Sequence, residues 1–290
     1  MKVALLMMIE ESKMRRNNNL WMWGDVLDTV PCKVKYVGLT HCSLETAAEY
    51  MGCGGVFWYN TAHDMNLIDE AHIKRLSGIG NISCILTHIE ENGPGKGGWK
   101  LYYKEAAEKI SRLSVTHPEI NGALIDDFMS ETGPSRYITP EYMKEVHDAL
   151  KSANPNLKLY VVQYLGRQSP KDLLPFKDYI DGISVWNWIH TTHYWEAEYE
   201  RDIWFLRDMF PGKLINQGQF LHDFGGKRGA MPMDFLKLQC DKILEQYDAG
   251  MIDGWCLIQS GFLSKPDHRE QFEYLRNLWY WLTNSRTVLK

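Results

Sequence analysis

The sequence predicts an α/β chain folded as a closed (β/α)8 barrel, a TIM barrel. Three observations carry the prediction: eight short β-type runs alternate with eight helix-type segments from residue 32 onward, several of the runs are apolar throughout, and polar and aromatic residues gather where the runs end. Parallel strands need long crossovers, and the intervening helices supply them. A run without polar alternation is expected where both faces of a strand are covered. A doubly wound open sheet would share the alternation, but the equal count of units and the chemistry at the strand ends favour closure. The chain has 290 residues, and such barrels run to ~250 residues or more as one unit, so 1–290 reads as a single barrel domain.

The first strand is expected at 33–41 (KVKYVGLTH), followed by the helical SLETAAEYMG with Ser43 as its N-cap. The second is VFWYN (56–60), with a helix through NLIDEAHIKRLSGIG, and the third is ISCILTH (82–88), with YYKEAAEKISRLSV. INGALIDDF (120–128) is the fourth; Thr139 should cap the helix that follows, with Pro140 at its first position. LKLYVVQY (157–164) and SPKDLLPFKDY make the fifth unit, IDGISVWNW (180–188) and EAEYERDIWFLRDMF the sixth. KLINQGQF (213–220) with DFLKLQCDKILEQYDAG and IDGWCLIQS (252–260) with HREQFEYLRNLWYWLTN close the count. Residues 1–31 stand outside it, as an N-terminal extension or an extra βα unit in which VALLMMI is the strand and LWMWGDVLDTV the helix. The Gly-rich stretches ENGPGKGG (91–98) and HDFGGKRGAMP (222–232) read as long loops.

Hydrophobic residues are 44% and charged residues 24%, ordinary for a soluble globular protein. The 32 basic and 37 acidic residues leave a net charge of −5, which gives no broad attraction for nucleic acid. Six cysteines (Cys32, Cys42, Cys53, Cys84, Cys240, Cys256) form no CxxC pair and read as free, mostly buried thiols of a reducing compartment. The start, MKVALLMMIEESK, meets Glu10 and Glu11 at once and offers no small-residue cleavage site. With no run of ~18 apolar residues, the cytoplasm is the expected location and no membrane partner is expected. Dinucleotide, P-loop and nucleophile-elbow signatures are absent from the sequence, so no cofactor is expected.

In such a barrel, function belongs to the carboxyl ends of the strands. These ends carry His41; Tyr59 and Asn60; His88 and Glu90; Asp126, Asp127 and Glu131; Gln163 and Tyr164; Trp186, Asn187, Trp188 and His190; Gln217, Gln219, His222 and Asp223; and Gln259 and Ser260. The amino ends carry Gly, Asn, Ile and Lys with no such convergence. Asp126 and Asp127 are the sharpest pair. Neighbouring strand residues point to opposite faces, so one of the two should face the barrel axis and the other should orient a neighbour. A carboxyl group at an apolar mouth can be held neutral as a general acid, or stay ionised and stabilise cationic charge. Trp186 and Trp188 share a face, with Asn187 opposite, and could form a stacking surface to which Trp58, Tyr59 and Trp255 would add. His41, His88, Glu90, Gln163, His190, Gln217, Gln219, Asp223 and Gln259 supply polar groups for a hydroxyl-rich ligand. The histidines lack metal-ligand spacing, and no metal site is assigned.

GALIDDF, VWNW and the closing IDGWCLIQS resemble barrels of the broad glycoside-hydrolase-like superfamily, most nearly a bacterial group with DDF on the fourth strand and W-x-W on the sixth. The likeness extends over most of 33–282. It implies a catalytic carboxyl at Asp126 or Asp127. The large retaining clan has a second catalytic Glu at the end of strand seven, where this chain reads INQGQF, and the chitinase-type DxxDxDxE run is reduced to the two Asp and Glu131. The expected function is that of a carbohydrate-active enzyme, a glycoside hydrolase in which one aspartate protonates the glycosidic oxygen. Glu131, Glu90 and Asp223 are its candidate partners. Two other functions fit the same residues: a metal-dependent hydrolase or lyase using His41, His88 and Asp126 or Asp127, and a non-catalytic sugar-binding barrel. The sequence does not fix an oligomeric state.

Overall fold

LWMWG, expected as helix, is instead the end of the first barrel strand, β1 (Asn17–Gly24). A short apolar run fits either period. Here Trp21 and Trp23 turn to the barrel axis while Leu20 and Met22 turn to the helices, and all four are buried. The computed structural model describes residues 16–59, 68–86, 88–90, 99–130, 133–189, 191–226 and 228–284, with backbone alone at 88–90, 99 and 100. KVKYVGLTH is not a barrel strand. It forms a hairpin of β2 (Cys32–Val34) and β3 (Gly38–Thr40), because Tyr36 (φ 67°) and Gly38 (φ 78°) take left-handed backbone that breaks an extended run.

The remaining elements follow the expected order. Helix α1 (Leu44–Met51) precedes β4 (Cys53–Trp58). Ser43 stands at the α1 N-cap, but its hydroxyl accepts from Leu27 N (3.0 Å) instead of capping the helix. Helix α2 (Glu70–Arg75) leads to β5 (Asn81–Ile85), and β6 (His88–Glu90) and β7 (Trp99–Leu101) pair as a second hairpin. The stretch 91–98 lies outside the described residues. Helix α3 (Tyr103–Thr116), β8 (Ile120–Met129), α4 (Pro140–Lys151) and β9 (Lys158–Tyr164) come next. Thr139 accepts from Tyr142 N (3.2 Å) with Pro140 behind it, the cap the sequence predicts. A 3-10 segment (Pro170–Tyr179) precedes β10 (Gly182–Trp186). After it run α5 (Thr192–Ala197), α6 (Tyr199–Met209), β11 (Leu214–Phe220), α7 (Met233–Asp248), β12 (Gly254–Ile258) and α8 (Arg269–Asn284).

Strands β1, β4, β5, β8, β9, β10, β11 and β12 pair in parallel and close on themselves through β1 and β12. The protein is therefore a (β/α)8 barrel. Its interior is packed with rings: Trp21 stacks on Phe57 (4.8 Å between centroids), and Trp186 lies 5.5 Å from Trp23 and 5.0 Å from Phe220. Two glycines make room for them. A Cβ on Gly55 would come within 2.4 Å of the Trp21 ring, and one on Gly218 within 2.2 Å of the Trp186 ring. All six cysteines are free. No helix among the described residues is long and apolar enough to cross a membrane.

Candidate active site

Strand pairing decides which residues reach the mouth. Registered partners in a parallel pair share a face, and the face alternates along each strand. Trp21 and Trp186 fill the barrel interior, so counting by twos turns Asp25, Tyr59, Asp126, Tyr164, Trp188 and Phe220 toward the axis at the strand exits. The same count sends several expected binding residues outward. Trp58 is buried beside His72 of α2. Gln163 is buried under the turn after β9, its amide donating to Gln168 O (3.2 Å).

Asn187 and Gln217 belong to a network beneath the helices. Gln217 Nε2 donates to Asn187 Oδ1 (3.1 Å), Tyr199 Oη to Gln217 Oε1 (3.0 Å), and Asn187 Nδ2 to Tyr194 Oη (2.9 Å). Gln219 Oε1 accepts from Trp255 Nε1 (3.0 Å), and the Trp255 ring packs on Trp279 of α8. Neither these side chains nor Trp58 and Gln163 form the mouth. Asn187, Gln217, Gln219 and Trp255 find hydrogen-bond partners between strands and helices, as buried polar groups usually do.

Asp126 and Asp127 do reach it, and both do. Pairing between β8 and β9 runs Ile125 to Val161 and resumes at Met129 to Gln163, four steps on one strand against two on the other. Inside this bulge Asp127 adopts φ 48°, a conformation Asp tolerates better than most residues. The expected opposition of the two carboxyls is thereby cancelled. Tyr59 hydrogen-bonds Asp126, Tyr164 Oη donates to Asp127 Oδ1, and Asp127 N donates to Asp126 Oδ1 (2.8 Å).

Asp126 is half-buried and Asp127 exposed, and protein packed around the strand exit surrounds both. Desolvation pushes Asp126 well above the ordinary carboxylate range, and the neighbouring charge of Asp127 pushes it further. Asp127 is also raised by desolvation, against which the Tyr164 hydroxyl and the Lys35 charge act. Lys35 comes from the β2–β3 turn, where its Nζ lies 4.9 Å from the Tyr36 ring centre. Tyr36 meets Phe224 edge-on at 6.2 Å, so the hairpin touches the loop after β11.

The aromatic wall is smaller than the W-x-W motif suggested. Trp186 is 2% exposed and belongs to the core. Trp188 alone of the pair lies at the mouth, half-buried against Phe220 (4.7 Å), Phe224 (5.8 Å) and Tyr164 (6.1 Å). Gln259 is buried and donates to Asp25 Oδ2 (3.1 Å) after a cis Ile258–Gln259 peptide. Asp223 is buried and accepts from Gly226 N (2.7 Å) within the loop after β11. His41 is exposed on the hairpin side, its backbone N bound to Ser264 Oγ (3.0 Å), and does not extend a barrel strand. His222 pairs with His268 (Nδ1 to Nε2, 3.1 Å) over the Phe262 ring.

Glu131, Asn60 and His190 lie outside the described residues, as do the side chains of His88 and Glu90. Among the described residues no group of three or more His, Cys, Asp or Glu side chains could hold a metal ion. Sequence reasoning missed Asp25 and Lys35. Asp25 continues the Trp21–Trp23 alternation and was hidden by reading that run as helix. Lys35 has no sequence signal of its own, since only the fold of the hairpin brings it near the aspartates.

No family model matches the chain, and no curated protein does. Solved structures do. A β-D-glucuronidase of Dictyoglomus thermophilum aligns over 92% of this chain and 50% of its own, at 12% identity and a TM-score of 0.53. A Streptomyces coelicolor protein provisionally described as chitinase A aligns over 91% of this chain and 98% of its own, at 11% identity and 0.52. A GH5_18 protein of Streptomyces cattleya, solved with Manβ1-4GlcNAc, aligns over 81% and 73%, at 12% and 0.52. The chain thus spans about half the length of the glucuronidase. At these identities the likeness is one of fold, and the fold is the TIM barrel found in glycoside hydrolases.

Proposed function

We propose that the protein is a glycoside hydrolase whose reacting group is the Asp126–Asp127 pair. One observation carries the reading: two adjacent carboxyls at the mouth of an apolar barrel, each held by a tyrosine from a different strand, in unequal surroundings. Unequal surroundings separate roles. Asp126, the more strongly raised, keeps its proton to higher pH and donates it to the departing glycosidic oxygen. Asp127, held by Tyr164 and facing Lys35, stays ionised and stabilises the positive charge that builds on the sugar ring. Trp188 supplies an apolar face for the ring. Asp25, which the Gln259 amide holds, is a candidate second carboxylate beside Glu131 and Glu90.

The names of the structural neighbours say which substrates to try first: aryl β-glucuronides and short chitin or mannose-containing oligosaccharides. Release of aglycone by the wild type and its loss in Asp126→Asn would support the reading. Saturable binding of a glycoside without turnover would favour a sugar-binding barrel instead. The six free thiols agree with a reducing compartment such as the cytoplasm.

A further inference from the structure

Alternation along β11 does not stop at Phe220. Leu221 N still pairs with Ile258 O (3.2 Å) and its side chain is buried, so the count by twos carries His222 to the axis side, on the rim of the mouth. The His222 ring is half-buried and meets Phe224 at 4.7 Å, and Phe224 packs on Trp188 at 5.8 Å. From this rim a hydrogen-bonded chain runs to solvent. His222 Nδ1 lies 3.1 Å from His268 Nε2, and His268 Nδ1 lies 2.9 Å from Asp267 Oδ1. Phe262, just after β12, stacks on both imidazoles, at 4.8 Å and 4.5 Å, and the two rings are within 11° of parallel.

The chain fixes which nitrogens carry hydrogen. The His268 bond holds the Asp267 carboxyl below its usual range, and an ionised carboxylate can only accept. His268 Nδ1 is therefore a donor. In a neutral ring its Nε2 can then only accept, so His222 Nδ1 donates and His222 Nε2 is left bare. Burial, and then the neighbouring His268, push His222 below the usual imidazole range; Arg228 acts with them, Asp223 and Asp267 against. One proton from solvent reverses the arrangement. Taken by His222, it sits on Nε2. Taken by His268, it makes Nε2 of that ring a donor, and the His222 proton moves from Nδ1 to Nε2.

We propose that the Asp267–His268–His222 chain is a specificity element of the mouth that follows pH. In the neutral chain His222 Nε2 accepts from a ligand hydroxyl. With one proton in the pair it donates instead, to an anionic group such as a uronate carboxylate. The proposal rests on the mouth being the ligand site, but not on the chemistry assigned to Asp126 and Asp127.

Spectra of protein labelled with 15N-histidine read these nitrogens without any ligand. His222 should carry hydrogen on Nδ1 and none on Nε2 at about pH 8, and should gain it on Nε2 by about pH 5. Asp267→Ala changes a side chain that is 66% exposed, and should let Nε2 carry part of the hydrogen already at about pH 8. A fully protonated Nε2 there in the wild type would overturn the proposal. Titrations with chitobiose and with glucuronate test the ligand side. The ratio of glucuronate to chitobiose affinity should rise about fivefold to tenfold over the same pH fall, the scale of one hydrogen bond. The rise should be largely lost in His222→Phe and blunted in Asp267→Ala, which keeps the test decisive if His222→Phe does not fold. An undiminished rise in the variants would assign the change to Asp126 and Asp127 and overturn the proposal. So would His222 signals that neither sugar moves. Glycoside turnover that survives Asp126→Asn would overturn only the assignment of the reacting pair.

Discussion

Strands β8 and β11 leave the barrel in opposite ways. Both carry, near their exits, two polar residues that the sequence offered as site candidates. In β8 the register breaks between Ile125 and Met129, and Asp126 and Asp127 both enter the mouth. In β11 the register holds against β12 through Phe220, so Gln217 and Gln219 stay on the helix side, each bonded to buried partners. A polar residue at a strand end is therefore only half a site. The face it takes depends on whether alternation survives to the last residue, and a bulge is what overrides it.

The contrast can be broken at several points. The largest effect should come from a regular exit: Trp186→Ala on β10 empties core volume and should cost about 3–5 kcal/mol of stability, read as a lower denaturant midpoint. Trp188→Ala, two residues on, should keep the fold and weaken glycoside binding by about 1–2 kcal/mol. Equal destabilisation by both would mean that the mouth wall is ordinary core.

At the bulged exit, Asp126→Asn or Asp127→Asn should lower kcat on an identified glycoside by on the order of 10² or more. Stability should move the other way. Both native carboxyls are raised above the free value of 3.8, so the folded chain holds protons that the unfolded chain has released. Stability from this pair is then lost as pH rises from that value through the native one. Asp126→Asn removes the loss, so its Tm should exceed the wild-type Tm more at neutral pH than near pH 4. A variant Tm that falls behind as pH rises would contradict the raised pKa.

Gln217→Ala on the regular strand should deprive Tyr199 Oη and Asn187 Oδ1 of their Gln217 partner and cost about 1–3 kcal/mol of stability, with kcat per folded molecule unchanged. A kcat defect there would return Gln217 to the site. The smallest effect belongs to Tyr164→Phe. Losing the hydroxyl that lowers Asp127 should raise that carboxyl, shifting the acidic limb of the pH–rate profile upward by a few tenths of a pH unit. A downward shift would mean that the hydroxyl acts on the neutral form.

The barrel was legible because its signal repeats. From VFWYN onward each strand sits within a few residues of its expected place, since parallel pairing demands an apolar run and a crossover eight times over. The first unit failed where that redundancy was missing: LWMWG is too short for its period to show, and the φ values at Tyr36 and Gly38 turned an apparent strand into a hairpin. The Asp pair stood out by composition, but its geometry did not, because nothing in IDDF announces a bulge. Gln163, Gln217, Gln219, Trp58 and Trp255 were misplaced for a single reason. A strand with both faces buried gives no polar side to count from.

The buried thiols have a practical consequence. Burial raises Cys42, Cys84 and Cys240 to about 12 and lifts Cys53 and Cys256 as well. At neutral pH a thiol with that pKa is ionised on the order of once in 10⁵, and only the thiolate reacts. Cys32 is the exception in position: it is half-buried on β2, three residues before Lys35. A maleimide added to the native protein should therefore stop at one adduct, whereas denatured protein takes six. A fluorophore placed there would ride on the hairpin that brings Lys35 to the mouth, reporting its motion from a native residue without any engineered substitution.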